Sequence, residues 1–339
     1  MSPIDIASES VVFTCPQNAR SPPGDRLKMT AKRYFTKESA ANSDGITLFF
    51  GHGVGAHKEI WEPIIEDIFR LQRHSYVREA WALERQDHGD AAILNAEELA
   101  LSRADGVYSY EWSEAIAAFA CSPRMQGHRI VPISHSAGCI SMVGSTKYMN
   151  ERTSPYIAMI LVEPAMVAAE LDPYTEGGIM PLTAAIRVRR DTWASRKAAH
   201  EWMRTRFPWN LWNPRILQVH IDHGFKDTAD GKVTLKCDKF HEANAFMDKV
   251  AHFDSVDQVG RICRSLPFHI IWGDRDDIIP EAGKGSISDR SQGRYAASIT
   301  RMEGGHMLVQ ETPTELAGEI CRLLETIVTQ HTRAVQSRL

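Results

Sequence analysis

Short apolar runs alternate with amphipathic stretches along most of this chain. Ile46-Thr47-Leu48-Phe49-Phe50 is closed by Gly51-His52-Gly53, the form of a buried strand entering a tight loop. Lys28 to Phe35, Val77 to Leu83, Ile130 to Ile133, Ile157 to Val162, Phe268 to Trp272 and Ala296 to Arg301 are predicted strands as well. Between them lie helical patterns. Ile60, Ile64, Ile65, Ile68 and Phe69 repeat at helical spacing up to Leu71. Ala96 to Ala120 is predicted helical with a break near Gly106, followed by Cys139 to Asn150 and a closing amphipathic helix over Pro313 to Gln330. Strand and helix in this rhythm predict βαβ units and a doubly wound, mostly parallel sheet, an α/β fold. The rhythm fails between about 165 and 265. Arg187 to Phe207 and Asp238 to Val250 are charged, Trp-rich and helical in pattern, and no clear buried strand appears. The expected organisation is a core of residues 1–164 and 266–339 interrupted by a helical cap insert, 165–265.

Composition narrows the class. The 339 residues are 43% apolar and 24% charged, the balance of a globular protein. A net charge of −4 gives no overall basic excess to recruit nucleic acid. No apolar run reaches the roughly 18 residues of a membrane span. The first 20 residues carry Asp5 and Glu9 and lack the basic-then-apolar start of a secretory signal. The six cysteines are scattered singly, with no C-x-x-C pair and no His at zinc-finger spacing, which points to reduced thiols.

The chemistry concentrates in four places. Ile130-Val131-Pro132-Ile133 enters Ser134-His135-Ser136-Ala137-Gly138, and a helix follows. A strand, a small-x-Ser-x-Gly turn and a helix resemble the nucleophile elbow of α/β hydrolases. A sharp turn of this kind lifts the Ser136 hydroxyl into the open and aims the Ala137 N–H, at a helix N-terminus, at a developing oxyanion. Ser134 stands where that motif has glycine. Strand Phe268–Trp272 ends in Gly273-Asp274-Arg275-Asp276, which resembles the family's Gly-x-x-Asp loop and makes Asp276 the placed acid. Glu163, directly after strand Ile157–Val162, competes with it, because some α/β hydrolases carry the acid there. Glu303-Gly304-Gly305-His306 follows the last strand, so His306 would take the Ser136 proton and return it. Gly51-His52-Gly53-Val54-Gly55 resembles the family's oxyanion loop. The Val54 N–H would pair with that of Ala137, and His52, Gly53 and His135 would border the substrate. Nucleophile, acid and His stand in the family's chain order.

Weaker features keep two readings each. Gln86-Asp87-His88-Gly89-Asp90 is a hydrogen-bonded turn or a catalytic cluster, with the turn favoured. His220 and His223 share a helix face but lack a third ligand. Trp193, Trp202, Trp209 and Trp212 either line an acyl tunnel or pack the insert; Trp193 and Trp209 are the candidate substrate contacts. Arg187, Arg189, Arg190, Arg196, Arg204 and Arg206 form a solvated face or meet the phosphates of a carrier such as coenzyme A.

Taken with Asp87-His88-Gly89-Asp90, Leu161-Val162-Glu163-Pro164 and the terminal Ser337-Arg338-Leu339, these motifs resemble fungal peroxisomal α/β hydrolases of toxin and other secondary-metabolite pathways, over about residues 45 to 330. The resemblance implies an α/β-hydrolase fold and an ester or acyl-CoA thioester hydrolase that needs no metal or organic cofactor. Ser-Arg-Leu is a variant of the Ser-Lys-Leu address read by the peroxisomal import receptor. A lyase or cyclase using the same residues as a proton relay, or a ligand-binding protein on this scaffold, are the other classes the sequence leaves open.

Overall fold

The computed structural model describes all residues except 1–3, 22–23, 25, 73–75, 172–178 and 337–339. Its strands are β1 (Ala7–Thr14), β2 (Lys28–Phe35), β3 (Ile46–Gly51), β4 (Val77–Leu83), β5 (Arg129–His135), β6 (Met159–Val162), β7 (Thr192–Trp193), β8 (Phe225–Asp227), β9 (Val233–Leu235), β10 (Phe268–Gly273) and β11 (Ser298–Met302). The longer helices are α1 (Glu62–Leu71), α2 (Ser109–Ala120), α3 (Ala137–Ser145), α4 (Ile179–Val188), α5 (Arg196–Met203), α6 (Pro214–His223), α7 (Lys239–Ala245), α8 (Lys249–Ile262) and α9 (Pro313–Gln336).

Eight strands form one sheet in the order β1-β2-β4-β3-β5-β6-β10-β11. From β4 to β11 every neighbour is parallel, and β1 and β2 are antiparallel additions. The parallel strands read as continuous apolar runs because both faces are covered. On one face Phe49, Trp81, Ile130, Leu161 and Ile270 meet Trp112 and Phe119 of α2, Ile140 of α3 and Val256 of α8. On the other, Leu48, Phe50, Val131, Ile160 and Ile271 meet Ile64 and Ile68 of α1 and Leu316 and Ile320 of α9.

Strand β1 is absent from the apolar pattern for a physical reason. It is an edge strand, exposed along most of its length, and only Val11 and Phe13 turn partly inward. Three expectations for the insert change. A small antiparallel sheet, β7-β9-β8, lies inside it, with strands of only two or three residues that no periodicity test can register. The expected helix Arg187 to Phe207 is instead the end of α4, strand β7 and helix α5, which Ser195 caps by accepting from the Ala198 N–H at 3.1 Å. The expected helix Asp238 to Val250 is instead α7 followed by the start of α8, and α8 buries Val256, Val259 and Ile262 against the main sheet as one of its covering helices.

Two predictions follow from this packing. Phe119 touches the rings of Phe13, Phe49 and Trp81 at 5.3–5.7 Å between centroids, joining edge to centre of the sheet. Phe119→Ala should lower the unfolding free energy by about 3–5 kcal/mol, read as a fall in denaturant midpoint. Burial, followed by the neighbouring His306 charge, pushes His135 at the end of β5 down from 6.5 to about 3. Burial pushes His252 on α8 down to about 4. An imidazole depressed in this way is neutral in the folded chain and protonated in the unfolded one between the two values. Its stabilising effect is therefore complete above about pH 6.5 and is lost as pH falls toward 3, at up to about 1.4 kcal/mol per pH unit for each group. Urea midpoints measured from pH 7 to pH 4.5 should fall steadily, and His135→Gln should flatten that slope.

Candidate active site

Strand β5 lies between β3 and β6 and ends at His135. Ser136 then takes φ 54° and ψ −127°, a left-handed conformation that a non-glycine residue holds only when its surroundings enforce it. The enforcement is visible. The Ser136 N–H donates to the Val162 carbonyl at 3.1 Å, and the Ser136 carbonyl accepts from the Cys139 N–H at 3.0 Å. Helix α3 starts at the next residue and passes so close to the end of β3 that a Cβ on Gly138 would lie 2.5 Å from the His52 carbonyl oxygen. Glycine is required there, whereas Ser134 fits where the elbow motif has its first glycine.

The Ser136 Oγ donates to His306 Nε2 at 2.8 Å. On the other side of the ring, His306 Nδ1–H donates to Glu163 Oε2 at 3.1 Å. The three side chains are buried, with exposures of 5%, 4% and 1%. Glu163, like Ser136, holds a positive φ, 46°, directly after its strand, and its N–H donates to the Ile271 carbonyl at 2.9 Å. Its other oxygen, Oε1, accepts the Gly273 N–H. The His306 backbone is fixed independently of its ring. Its N–H donates to Asp277 Oδ1 at 2.9 Å, and its carbonyl accepts from His135 Nε2–H at 2.8 Å.

Asp276, the acid favoured by the loop pattern, is not at the ring. Its side chain is 46% exposed, and its Oδ1 lies 2.9 Å from the Lys284 ammonium. Glu163 occupies the place expected of Asp276 because β6 lies directly beside β5, whereas β10 lies one strand further away.

The loop after β3 reaches the nucleophile. A Cβ on Gly53 would lie 3.1 Å from the Ser136 Cβ and from His135 Nδ1, so backbone passes directly beside the serine. Val54 follows, half-buried against the core. Ala137 is the first residue of α3, where an N–H has no carbonyl of its own helix to reach. His52 is committed to backbone. Its Nδ1–H donates to the Gly53 carbonyl at 2.8 Å, and its Nε2 accepts the Arg85 N–H at 3.2 Å. His135, expected beside the substrate, is likewise turned inward onto His306. The turn at Gln86–Asp90 supports the same loop. His88 Nδ1–H donates to Asp87 at 2.7 Å, and His88 Nε2 accepts the Gly55 N–H at 3.0 Å.

Trp193 and Trp209, expected as substrate contacts, are packed inside the insert with Met203, Leu217, Ile221 and Phe225. Trp193 is 1% exposed and meets Trp202 and Phe225 edge-on at 5.5 and 5.4 Å. Most of the insert's arginines are also engaged. Arg189 forks onto Glu242 at 2.9 and 2.6 Å, Arg196 pairs with Asp227, and Arg190 and Arg206 lie over Trp202. Among the described residues no group of three or more His, Cys, Asp or Glu is placed to hold a metal ion. No described helix is long and apolar enough to cross a membrane. Ser337-Arg338-Leu339 lies outside the described residues. Sequence reasoning missed Lys284 and takes Asp277 for a solvated loop carboxylate. A lysine between glycines and one of three aspartates in a loop carry no pattern that sets them apart.

Comparisons with known proteins give the family of the chain. Residues 48–319 match the alpha/beta hydrolase family model. The Type I acyl-CoA thioesterase mpaH' of Penicillium brevicompactum is 26% identical over 244 residues, covering 64% of this chain and 54% of that protein. The mpaH of Penicillium roqueforti is 25% identical over 208 residues, covering 60% and 45%. The chain thus spans about half the length of the curated relatives it matches. Among solved structures, the peroxisomal alpha-beta-hydrolase Lpx1 of Saccharomyces cerevisiae superposes with a TM-score of 0.75 at 19% identity, over 97% of this chain and 91% of that one. A thioesterase domain from the curacin biosynthetic pathway superposes with a TM-score of 0.64 at 12% identity, over 93% and 99%. With a family model matched over most of its length and an eight-stranded sheet carrying the strand–Ser–helix turn at its centre, the chain belongs to the alpha/beta hydrolase family.

Proposed function

We propose that this protein is a serine hydrolase of acyl esters or acyl-CoA thioesters with the triad Ser136, His306 and Glu163. The observation that carries the reading is the continuous line of hydrogen bonds from Ser136 Oγ through both ring nitrogens of His306 to Glu163, at 2.8 and 3.1 Å. Glu163 accepts Nδ1–H, so Nε2 is left as the base in the tautomer that catalysis needs. In the proposed reaction Ser136 Oγ attacks the acyl carbonyl carbon while His306 takes its proton. The Val54 and Ala137 N–H groups hold the resulting oxyanion. The tetrahedral intermediate collapses, the thiol or alcohol leaves with the proton from His306, and the acyl group stays on Ser136. Water, deprotonated by His306, then releases the acid and restores the serine. Glu163 stabilises the imidazolium formed in each half-reaction.

The acyl-CoA class is supported by the thioesterase names of the curated relatives. A peroxisomal location in a secondary-metabolite pathway is part of the same reading. It is supported by Ser337-Arg338-Leu339 and requires Leu339 to carry the free carboxylate. A fluorescent protein carrying this tripeptide at its C-terminus should co-localise with a peroxisomal marker.

Intact mass after exposure to a fluorophosphonate should show one adduct, absent in Ser136→Ala; a folded wild type without an adduct would overturn the reading. Glu163→Gln should lower kcat by about 10²–10⁴-fold, whereas Asp276→Asn should stay within about tenfold. The reverse order would return the acid role to Asp276. Acyl-CoA thioesters assayed beside simple esters identify the leaving group.

A further inference from the structure

Lys284 is a fully buried cation beside the proposed triad. Its side chain is 1% exposed. A buried ammonium is tolerated only where its charge and its three N–H donors are all met. Its Nζ donates to the Gly273 carbonyl at 2.9 Å and the Arg275 carbonyl at 3.3 Å, lies 2.9 Å from Asp276 Oδ1, and sits 5.5 Å from the Trp272 ring centroid. The same Nζ is 3.9 Å from Glu163 Oε1, too far for a hydrogen bond and near enough for a strong Coulomb attraction in a dry site.

We propose that Lys284 is a positioning residue for the triad, and that Asp276 acts on the reaction through it. This rests on the assignment of Glu163 as the triad acid. The Gly273 peptide groups show the mechanical part. Its N–H holds Glu163 Oε1, while its carbonyl is held by Lys284. Lys284 thus clamps the turn that fixes the carboxylate against His306. The electrostatic part follows from the order of charges. Asp276, Lys284 and Glu163 form a chain of alternating charge that ends on the His306 ring, with the half-exposed Asp276 at its outer end. The cation opposes protonation of His306, and Asp276 offsets part of that opposition. Asp276 supplies the counter-charge that the buried lysine needs.

The other groups facing His306 are Ser136 and His135 from β5, Glu163 from β6 and Asp277 on its N–H, with Arg275 and Glu311 paired beyond the loop at 2.6 Å. Burial depresses His135 to about 3, so it carries no charge in the working range.

The test is kcat/KM against pH for p-nitrophenyl butyrate, with wild type, Lys284→Met, Lys284→Arg and Asp276→Asn, a separate aliquot of each being checked for fluorophosphonate labelling. The acid limb reports loss of the neutral imidazole. Lys284→Met should lower kcat about tenfold or more with KM within about twofold, and should move the acid limb up by about half a pH unit or more. Lys284→Arg keeps the charge and should keep the limb. Asp276→Asn should move the limb down with kcat within about tenfold. An unmoved limb in Lys284→Met overturns the proposal and leaves the lysine as a packing element. If Lys284→Met does not fold, the Asp276→Asn limb decides: a downward shift supports the proposal and no shift overturns it. A thousandfold loss of kcat in Asp276→Asn overturns it by making Asp276 the acid. A wild type that neither labels nor turns over the ester overturns the serine-hydrolase reading itself.

Discussion

The site depends on the parallel register at the centre of the sheet. His135 pairs with Val162, and Val162 pairs with Ile271, so β5 and β6 end level with Ile271 of β10. The next residues of β5 and β6, Ser136 and Glu163, enter the space above that edge, while β10 runs on to Gly273, whose N–H meets Glu163. The transition is stitched by backbone, with the Ser136 N–H on the Val162 carbonyl and the Glu163 N–H on the Ile271 carbonyl. A slip of one residue along any of these strands would send its side chain to the opposite face. The apolar faces that α1, α2, α3 and α9 bury prevent the slip. Core packing therefore sets the positions of the reacting groups although it touches none of their polar atoms.

How much of this was legible in the sequence depended on burial. The central strands were legible because both faces are apolar, Ser136 because it follows such a strand in a glycine-bearing turn, and His306 because two glycines set it just after the last strand. The edge strand β1 and the three short strands of the insert were not, because they have too few buried positions to make a period. The acid is the instructive case. Both Asp276 and Glu163 follow parallel strands in suitable loops, and only the distance across the sheet separates them. That distance is set by strand order, which local pattern does not contain. Trp193 and Trp209 show the same limit. A stripe of large aromatics states that something is covered, and only the fold states whether it is a ligand or a helix.

Buried charge organises the surroundings of the site. Lys58, just beyond the loop after β3, is buried against Glu59, Glu84 and Asp90 at 2.8–3.1 Å. Burial opposes its charge, but the Glu84 and Glu59 carboxylates raise it above the ordinary lysine range. Lys284 does the corresponding work under β10. Each lysine ties one loop of the site to the sheet, so the loop carrying Val54 and the turn carrying Gly273 are anchored from below while their upper surfaces stay available for chemistry.

Two residues that are not glycine, Ser136 and Glu163, hold left-handed backbone at adjacent strand ends, and both belong to the proposed triad. Such conformations cost of order 1–3 kcal/mol each and persist only under enforcement by their neighbours. The strain thus falls on two residues of the proposed triad. A chain selected only for thermal endurance would relax these two positions first, since glycine fits both without penalty. The fold and the proposed reaction place opposite demands on the same two backbone positions, and a hydroxyl and a carboxylate there serve that reaction at a cost in endurance.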